Sequence, residues 1–379
     1  MKILQLAQKP QRRGAEVFAH QLGGWLRTAG HEVRHVYLYR YDGDEPLAVG
    51  DDDVALGYRE ASPLERLPTG NPALLAALRR LVGRWRPDVV QANGGRSVKY
   101  AALSTLLSPG RRWRLVYRNI DSPRFWVRGA ARRLYMGRLV MPRVDGVVGV
   151  SRRTLDEVFD FYRLEAPGVF IPNGIDLAPL ASPAPRGEVR RRHDTPADAR
   201  VLLFFGALTA QKRPERFVRL IRTLHDGGEA AIGWVLGDGP ARGGLEALAG
   251  ELGVASSLRF LGYRRDVADP VAAADLFVST SDSEGIPAAV LEAGYLRLPV
   301  VGFDVGGMGE CVVDGETGLL APAGDETALA ALVTRLVRDG EERRRMGEAA
   351  RRFVADGFSM QSVGRRYEAF YRRLLGDEG

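Results

Sequence analysis

Residues 276–294 read LFVSTSDSEGIPAAVLEAG, and the way this stretch folds decides the architecture. LFVST is an apolar run of strand length with no polar face, as expected for a strand buried on both sides of a parallel sheet. SDSEG is a polar loop, Asp282 or Ser283 is a candidate cap, and Pro287 presets the first turn of a helix running from about Ala288 through Ala293. Two glutamates, Glu284 in the loop and Glu292 in the helix, flank free backbone N–H groups around Ile286–Ala289, where the helix dipole favours an anion. At ~1.5 Å per residue their separation is about 12 Å, the reach of a sugar joined through a diphosphate to a ribose. The plainer alternative is an exposed helix glutamate and a capping residue.

The same strand, polar loop and helix pattern extends outward in both directions. KILQLA (2–7), PDVVQA (87–92), WRLVYR (113–118) and DGVVGV (145–150) are expected buried strands, as are VLLFFG (201–206), GWVLG (233–237), LRFLG (258–262) and PVVGF (299–303). Strands alternating with helical patterns predict parallel sheets built from βαβ units. MKILQLAQKPQRRGAE and RVLLFFGALTAQKRPE both run strand, lysine-bearing loop and helix start, so the chain is expected to hold two similar α/β domains. LAPLASPAPRGEVRRRHDTPADAR (177–200) lacks a sustained apolar period and is expected to be a linker or surface excursion, dividing residues 1–180 from 181–357. In 358–379, Phe358, Val363, Tyr367, Phe370, Tyr371 and Leu374 recur at helical spacing, so a final helix must pack on one domain or the other.

Composition narrows the classes. A chain of 379 residues, 45% hydrophobic and 27% charged, has room for two cores. A single cysteine, Cys311, excludes an intramolecular disulfide, and five histidines without zinc-site spacing argue against a structural metal. With no signal peptide and no apolar run long enough to span a bilayer, a cytoplasmic setting is expected. The net charge of +7 permits anionic partners, but no nucleic-acid motif accompanies it. The basic residues are 50 arginines and four lysines, Lys2, Lys9, Lys99 and Lys212, so here a lysine is more informative than an arginine.

Residues 276–320 as a whole resemble the donor-binding core of the family 4 glycosyltransferases, retaining enzymes of the GT-B fold. The matching pieces are Glu284 and Glu292 with seven residues between them, PVVGFDVGG (299–307), Glu310 and DGETGLL (314–320). IPNGID (171–176), GDGP (237–240), RGAE (13–16) and AGHEV (29–33) match in the same order along the chain. The resemblance implies two Rossmann-like domains facing each other across a cleft, the first binding acceptor and the second a nucleotide-sugar. It implies that Glu284 contacts the donor sugar, Glu292 the ribose, and Gly285, Ile286 and Pro287 the sugar and phosphates. In the phosphate loop GALTAQKR (206–213), it makes Gly206 and Lys212 diphosphate contacts, with Arg213 beside them. Ala207 stands where the family most often has arginine, so one cation is missing and Arg213 is a candidate substitute. Tyr263 and Arg264 fall where the family contacts the base.

In the first half the resemblance assigns Gly14, after a loop carrying Lys9, Arg12 and Arg13, to close backbone approach toward ligand. Ile120 stands where the family often has a histidine. Asp121 is then the candidate assisting residue, with Asn93 and Asn119 as acceptor-side neighbours, and capping before Pro123 is the alternative for Asp121. PRFWVRGAARRLYMGRLVMPR (123–143) mixes Phe125, Trp126, Leu134, Tyr135, Met136 and Leu139 with six arginines, a composition suited to an anionic membrane surface or to a domain helix with a basic outer face.

The expected function is therefore transfer of a sugar from a nucleoside diphosphate, UDP before GDP or ADP, to a hydroxyl of a glycan, glycolipid or small glycosylated acceptor. Configuration is retained, and neither metal nor cofactor is expected. The competing expectations are a silent nucleotide-sugar-binding subunit, for which Ala207 and Ile120 speak, and a phosphorylase or hydrolase on the same fold.

Overall fold

The computed structural model describes residues 1–11, 14–43, 46–47, 50–66, 70–106, 111–120, 122–127, 129–264 and 266–377, the side chains of Phe125 and Trp126 excepted. The chain divides into two compact units, Met1–Gly174 with Met360–Gly379, and Ile175–Ser359.

In the first unit, β1 (Lys2–Ala7), β2 (Glu32–Tyr39), β3 (Val54–Tyr58), β4 (Val89–Asn93), β5 (Arg114–Asn119), β6 (Gly146–Gly149) and β7 (Gly168–Phe170) form a sheet ordered β3-β2-β1-β4-β5-β6-β7. Every described ladder in it is parallel. Side chains alternate between two buried faces, as the near-continuous apolar runs require. On one face Ile3, Val89, Val116 and Val148 meet Phe18, Leu22 and Leu26 of the helix Gly14–Thr28. Val363, Tyr367, Phe370 and Tyr371 of the final helix, Met360–Leu375, complete that layer. The other face packs Leu4, Leu6, Val90, Leu115 and Tyr117 against helices Pro72–Trp85 and Gly95–Thr105.

In the second unit, β8 (Arg200–Phe205), β9 (Ala231–Leu236), β10 (Leu258–Gly262), β11 (Leu276–Ser279), β12 (Val300–Phe303) and β13 (Gly318–Ala321) are ordered β10-β9-β8-β11-β12-β13 and pair in parallel. Leu202, Phe204, Val278 and Val301 pack on the helix Pro214–Asp226 through Phe217, Val218, Ile221 and Leu224. Val201, Leu203, Trp234 and Phe277 pack on Val290 and Leu291 of the helix Ala288–Tyr295, with Val354 and Phe358 behind. Each such side chain is worth about 1.5–3 kcal/mol when fully buried.

Three expectations need correction. The units divide at Gly174/Ile175 and again at Ser359/Met360, not near residue 180, while the final helix packs within the first unit, one of the two placements expected for it. Residues 177–200 are not a linker. The helix Arg186–Arg192 is anchored in the second unit by Arg190, 1% exposed, whose guanidinium donates to Asp275 (2.7 Å) and to the carbonyls of Ala273, Ala197 and Ala199. A buried arginine satisfied by fixed acceptors carries no apolar period, which is why the pattern missed it. Residues 123–143 are not one helix but short helices, Pro123–Trp126 and Ala130–Tyr135, followed by a π-turn over Met136–Val140. Gly129, at φ 87°, breaks the run. Among the described residues no helix is long and apolar enough to cross a membrane.

Candidate functional site

In the second unit the strand order reverses between β8 and β11: β9 and β10 lie on one side, β12 and β13 on the other. In an open parallel sheet the loops leaving such a reversal diverge and open a crevice at the strand ends, the usual ligand position. The loops in question are Gly206–Arg213 and Thr280–Pro287, which carry most of the donor-side residues singled out from the sequence.

The two loops are bonded together. The Thr280 hydroxyl is shared between the carbonyls of Lys212 (2.9 Å) and Arg213 (3.0 Å), Gln211 Nε2 donates to Ser283 O (2.9 Å), and the Asp282 amide donates to Gln211 O (3.0 Å). Across this stitching Lys212 Nζ reaches Glu284 Oε1 at 2.5 Å, and Ser281 Oγ donates to the same oxygen at 2.6 Å. The Glu284 side chain is 7% exposed and that of Lys212 24%, so the pair lies at the floor of a small recess also lined by Thr280, Ser281, Pro287 and Val290. In so shielded a place a charge-assisted bond is stronger than on an open surface.

Glycines allow the backbone to close around the pair. A Cβ on Gly306, at φ +58°, would stand 1.9 Å from the Glu284 carbonyl oxygen, and one on Gly307 2.3 Å from that of Gly285. The Gly307 amide donates to Glu284 O at 3.0 Å, so the VGG turn (305–307) clamps the glutamate loop from behind. Gly237 plays the same part for the lysine loop, since a Cβ there would lie 2.0 Å from Gly206 O.

The helix Ala288–Tyr295 starts at Pro287 without a side-chain cap, so neither Asp282 nor Ser283 caps it. Asp282 instead takes Arg216 (2.5 Å), with Arg213 at 3.6 Å. Val290 and Leu291 bond back to Pro287 O, whereas the amides of Ala288 and Ala289 have no backbone acceptor among the described residues. Those amides form the anion-favouring end of the helix. The carboxyl of Glu292, a half-buried residue, has no hydrogen-bond or ion-pair partner among the described residues, and burial pushes it up to about 7.

The remaining predicted residues are placed less favourably. Arg213 is paired with Glu215 (2.9 Å), so it is not a free replacement for the cation missing at Ala207. Tyr263 is 77% exposed just beyond β10, and Arg264 is held by Asp266. In the first unit Gly14 opens its helix with nothing within 4 Å of a Cβ there, so no crowding within the unit requires glycine. Asn93 bonds to Gln5 and Leu6 O and accepts from Gln91, while Asn119 donates to Thr154 O and accepts from Tyr117. Both are buried and spent internally, so in this structure neither is available to an acceptor, contrary to expectation. Asp121, Arg12 and Arg13 lie outside the described residues. Pattern reading missed Thr280, Ser281, Gln211 and Arg216. Thr280 and Ser281 directly after an apolar strand were a usable signal.

His20, His35 and Asp53 come close enough to share an ion. However, His35 Nε2 lies 3.1 Å from the Ala19 carbonyl and Asp53 is engaged by Arg27 and the His35 amide, a set occupied by internal bonds.

Two family models divide the chain between them: Glycosyltransferase Family 4 matches residues 12–179 and Glycosyl transferases group 1 matches residues 185–353. The chain belongs to the family 4 glycosyltransferases. Similar curated proteins include the D-inositol 3-phosphate glycosyltransferase of Kineococcus radiotolerans, 32% identical over 63% of this chain and 59% of that one. The GDP-mannose-dependent alpha-(1-6)-phosphatidylinositol monomannoside mannosyltransferase of Mycolicibacterium smegmatis is 27% identical over 94% of both chains. Matches to the first relatives, which include the lipopolysaccharide core glycosyltransferase LpsE of Rhizobium meliloti, span 47–64% of this chain and 50–63% of theirs. Anabaena HepE, solved with UDP, superposes with TM-score 0.80 at 19% identity, covering 98% of this chain and 100% of that one. WaaG gives TM-score 0.67 at 20% identity, covering 99% and 100%. These likenesses establish the GT-B fold, a pair of Rossmann-like parallel sheets.

Proposed function

We propose that this protein is a retaining glycosyltransferase that moves a sugar from a nucleoside diphosphate to a hydroxyl of a glycan, glycolipid or small glycosylated acceptor. The observation that carries the reading is the Lys212–Glu284 pair at the strand-order reversal, beside uncapped helix amides and the unpartnered Glu292. Those groups supply what a nucleotide-sugar presents: a cation and amides for the diphosphate, and carboxylates for hydroxyls on either side of it.

In this reaction the bond from the anomeric carbon to the diphosphate breaks as the acceptor oxygen bonds to the same face of that carbon. The acceptor proton passes to the departing phosphate. Lys212 and the Ala288 and Ala289 amides stabilise the charge on the leaving group, Glu284 orients the sugar, and Glu292 holds the ribose. Catalysis is then chiefly positioning and charge stabilisation, with no metal required. The first unit takes the acceptor, with Asp121 the proposed assisting residue. UDP is favoured as the nucleotide, supported by the UDP-bound HepE fold, although one relative is named for GDP-mannose.

The test incubates the protein with UDP-, GDP- and ADP-sugars and a panel of glycan, glycolipid and inositol acceptors, following nucleotide release and the anomeric configuration of product by NMR. A single donor transferred with retention is expected. Tight donor binding without release for any acceptor would instead establish a silent nucleotide-sugar-binding subunit, and inverted product would refute the mechanism.

A further inference from the structure

The first unit has its own strand-order reversal, between β1 and β4, and its loops carry a second group of cations. Lys9 follows β1, while Arg96 and Lys99 lie in the first turns of the helix Gly95–Thr105 that follows β4. In a chain with four lysines, two stand at this one reversal. Their acidic neighbours are Glu60, which takes both Lys9 and Arg96, and Glu65.

Lys99 is the unbalanced member. Glu65 is already hydrogen-bonded by the hydroxyls of Tyr39 (2.9 Å) and Tyr100 (2.5 Å), and the Lys99 ammonium stands off at 3.9 Å, 4.7 Å from the centre of the Tyr100 ring. Its side chain is 16% exposed. Burial, then the fields of Arg132 and Arg96, lower its pKa against the pull of Glu65, so a partly desolvated ammonium faces other cations with no close hydrogen-bonded anion. The helix beside it begins at Gly94, φ 100°, with no side-chain cap and no acidic residue in its first turn. Counting Lys9, Arg96, Lys99 and Arg132 against Glu60 and Glu65, cations are in excess.

We infer that the first unit binds a phosphate group at Lys99, Arg96, Lys9 and the amino-terminal turn of the helix Gly95–Thr105, so that the acceptor is a phosphorylated molecule. Calling the ligand an acceptor rests on the glycosyltransferase reading, while the anion site itself does not. A tetrahedral dianion would give Lys99 the close partner that Glu65 does not, and would meet the uncapped amides.

The test is calorimetric titration with inorganic phosphate in a Lys212→Met background, which removes the diphosphate cation of the second unit. Phosphate binding should persist there and weaken at least tenfold on adding Lys99→Met or the more exposed Arg96→Gln, with Lys99→Arg restoring most of it. Glucose 6-phosphate competing for this site would assign a soluble phosphate ester. Co-sedimentation with phosphatidylinositol vesicles that Lys99→Met abolishes would assign a lipid headgroup. No phosphate binding in the Lys212→Met background, or binding indifferent to Lys99→Met and Arg96→Gln, would overturn the inference and leave the cluster an internal ion-pair network. Nucleotide binding by the unaltered protein tests the glycosyltransferase reading separately, so the two failures are distinguishable.

Discussion

Lys212 Nζ and Glu284 Oε1 lie 2.5 Å apart, although 72 residues separate them in the chain. The contact exists because β8 and β11 are neighbours at the reversal of strand order and their loops are stitched through Thr280 and Gln211. Without donor each charge satisfies the other. Glu284→Gln is expected to reduce transfer at least 100-fold while the protein stays folded. Full turnover by that variant, measured by nucleotide release, would move the sugar site elsewhere.

Glu292 makes a pH-dependent prediction. Its folded-state value of about 7 exceeds the ordinary 4.5, so between those values the folded state holds a proton that the unfolded chain has lost. Stability therefore falls as pH rises through that window and the penalty is complete above it, at about 3 kcal/mol or less for this half-buried group. Glu292→Gln should raise the urea midpoint at pH 8 and change it little at pH 5. Donor affinity of the unaltered protein should fall as pH drops from 8 to 6, because the ribose hydroxyls need a carboxylate to accept their bonds. Glu292→Gln should lose both affinity and that pH dependence. A midpoint that does not rise at pH 8 would show that the carboxyl is solvated.

Gly306→Ala places a methyl group 1.9 Å from the Glu284 carbonyl oxygen at a left-handed backbone, so the loop must shift. A loss of about 1–3 kcal/mol in stability is expected together with weaker donor binding. Gly244, inside the helix Arg242–Glu251 with nothing within 4 Å of a Cβ, is the contrast. Gly244→Ala should gain about 0.5–1 kcal/mol by denaturant titration and leave donor binding unchanged.

How much of this was legible beforehand differs from feature to feature. Strands such as β1, β8 and β11 were evident because burial on both faces leaves an unbroken apolar run, while β3 and β7 are edge strands, one partly exposed and one three residues long, with no such run. Glu284, Lys212 and Glu292 could be picked out by residue type and spacing. Their stitching by Thr280 and Gln211 could not, since it depends on which strands are neighbours. Asn93 and Asn119 were singled out as neighbours of the position that the resemblance gives to a histidine, but their side chains bond within the unit. The anchoring of residues 177–200 was hidden because its key is a buried charge.

That anchor is itself testable. Asp275 is buried, which opposes its charge, but the Val201 amide and the guanidiniums of Arg186 and Arg190 hold its carboxyl below the usual range. Its contribution is present above the ordinary carboxylate value of about 4 and is lost as pH falls through the folded-state value. Asp275→Asn leaves Arg190 buried without its counter-charge and should cost about 3–5 kcal/mol at neutral pH, measured by urea unfolding. A cost below about 1 kcal/mol would mean that the carbonyls of Ala273, Ala197 and Ala199 suffice for Arg190.

The central claim is that the second unit holds a nucleoside diphosphate against Lys212. Calorimetric titration of the unaltered protein and of Lys212→Met with UDP, GDP and ADP, and with the matching nucleosides, tests it most directly. One diphosphate should bind the unaltered protein, and Lys212→Met should weaken it by about 10–100-fold, the worth of one charge-assisted bond, while nucleoside affinity changes less than about twofold. If no nucleoside diphosphate binds, or if Lys212→Met leaves its affinity unchanged, the claim is contradicted.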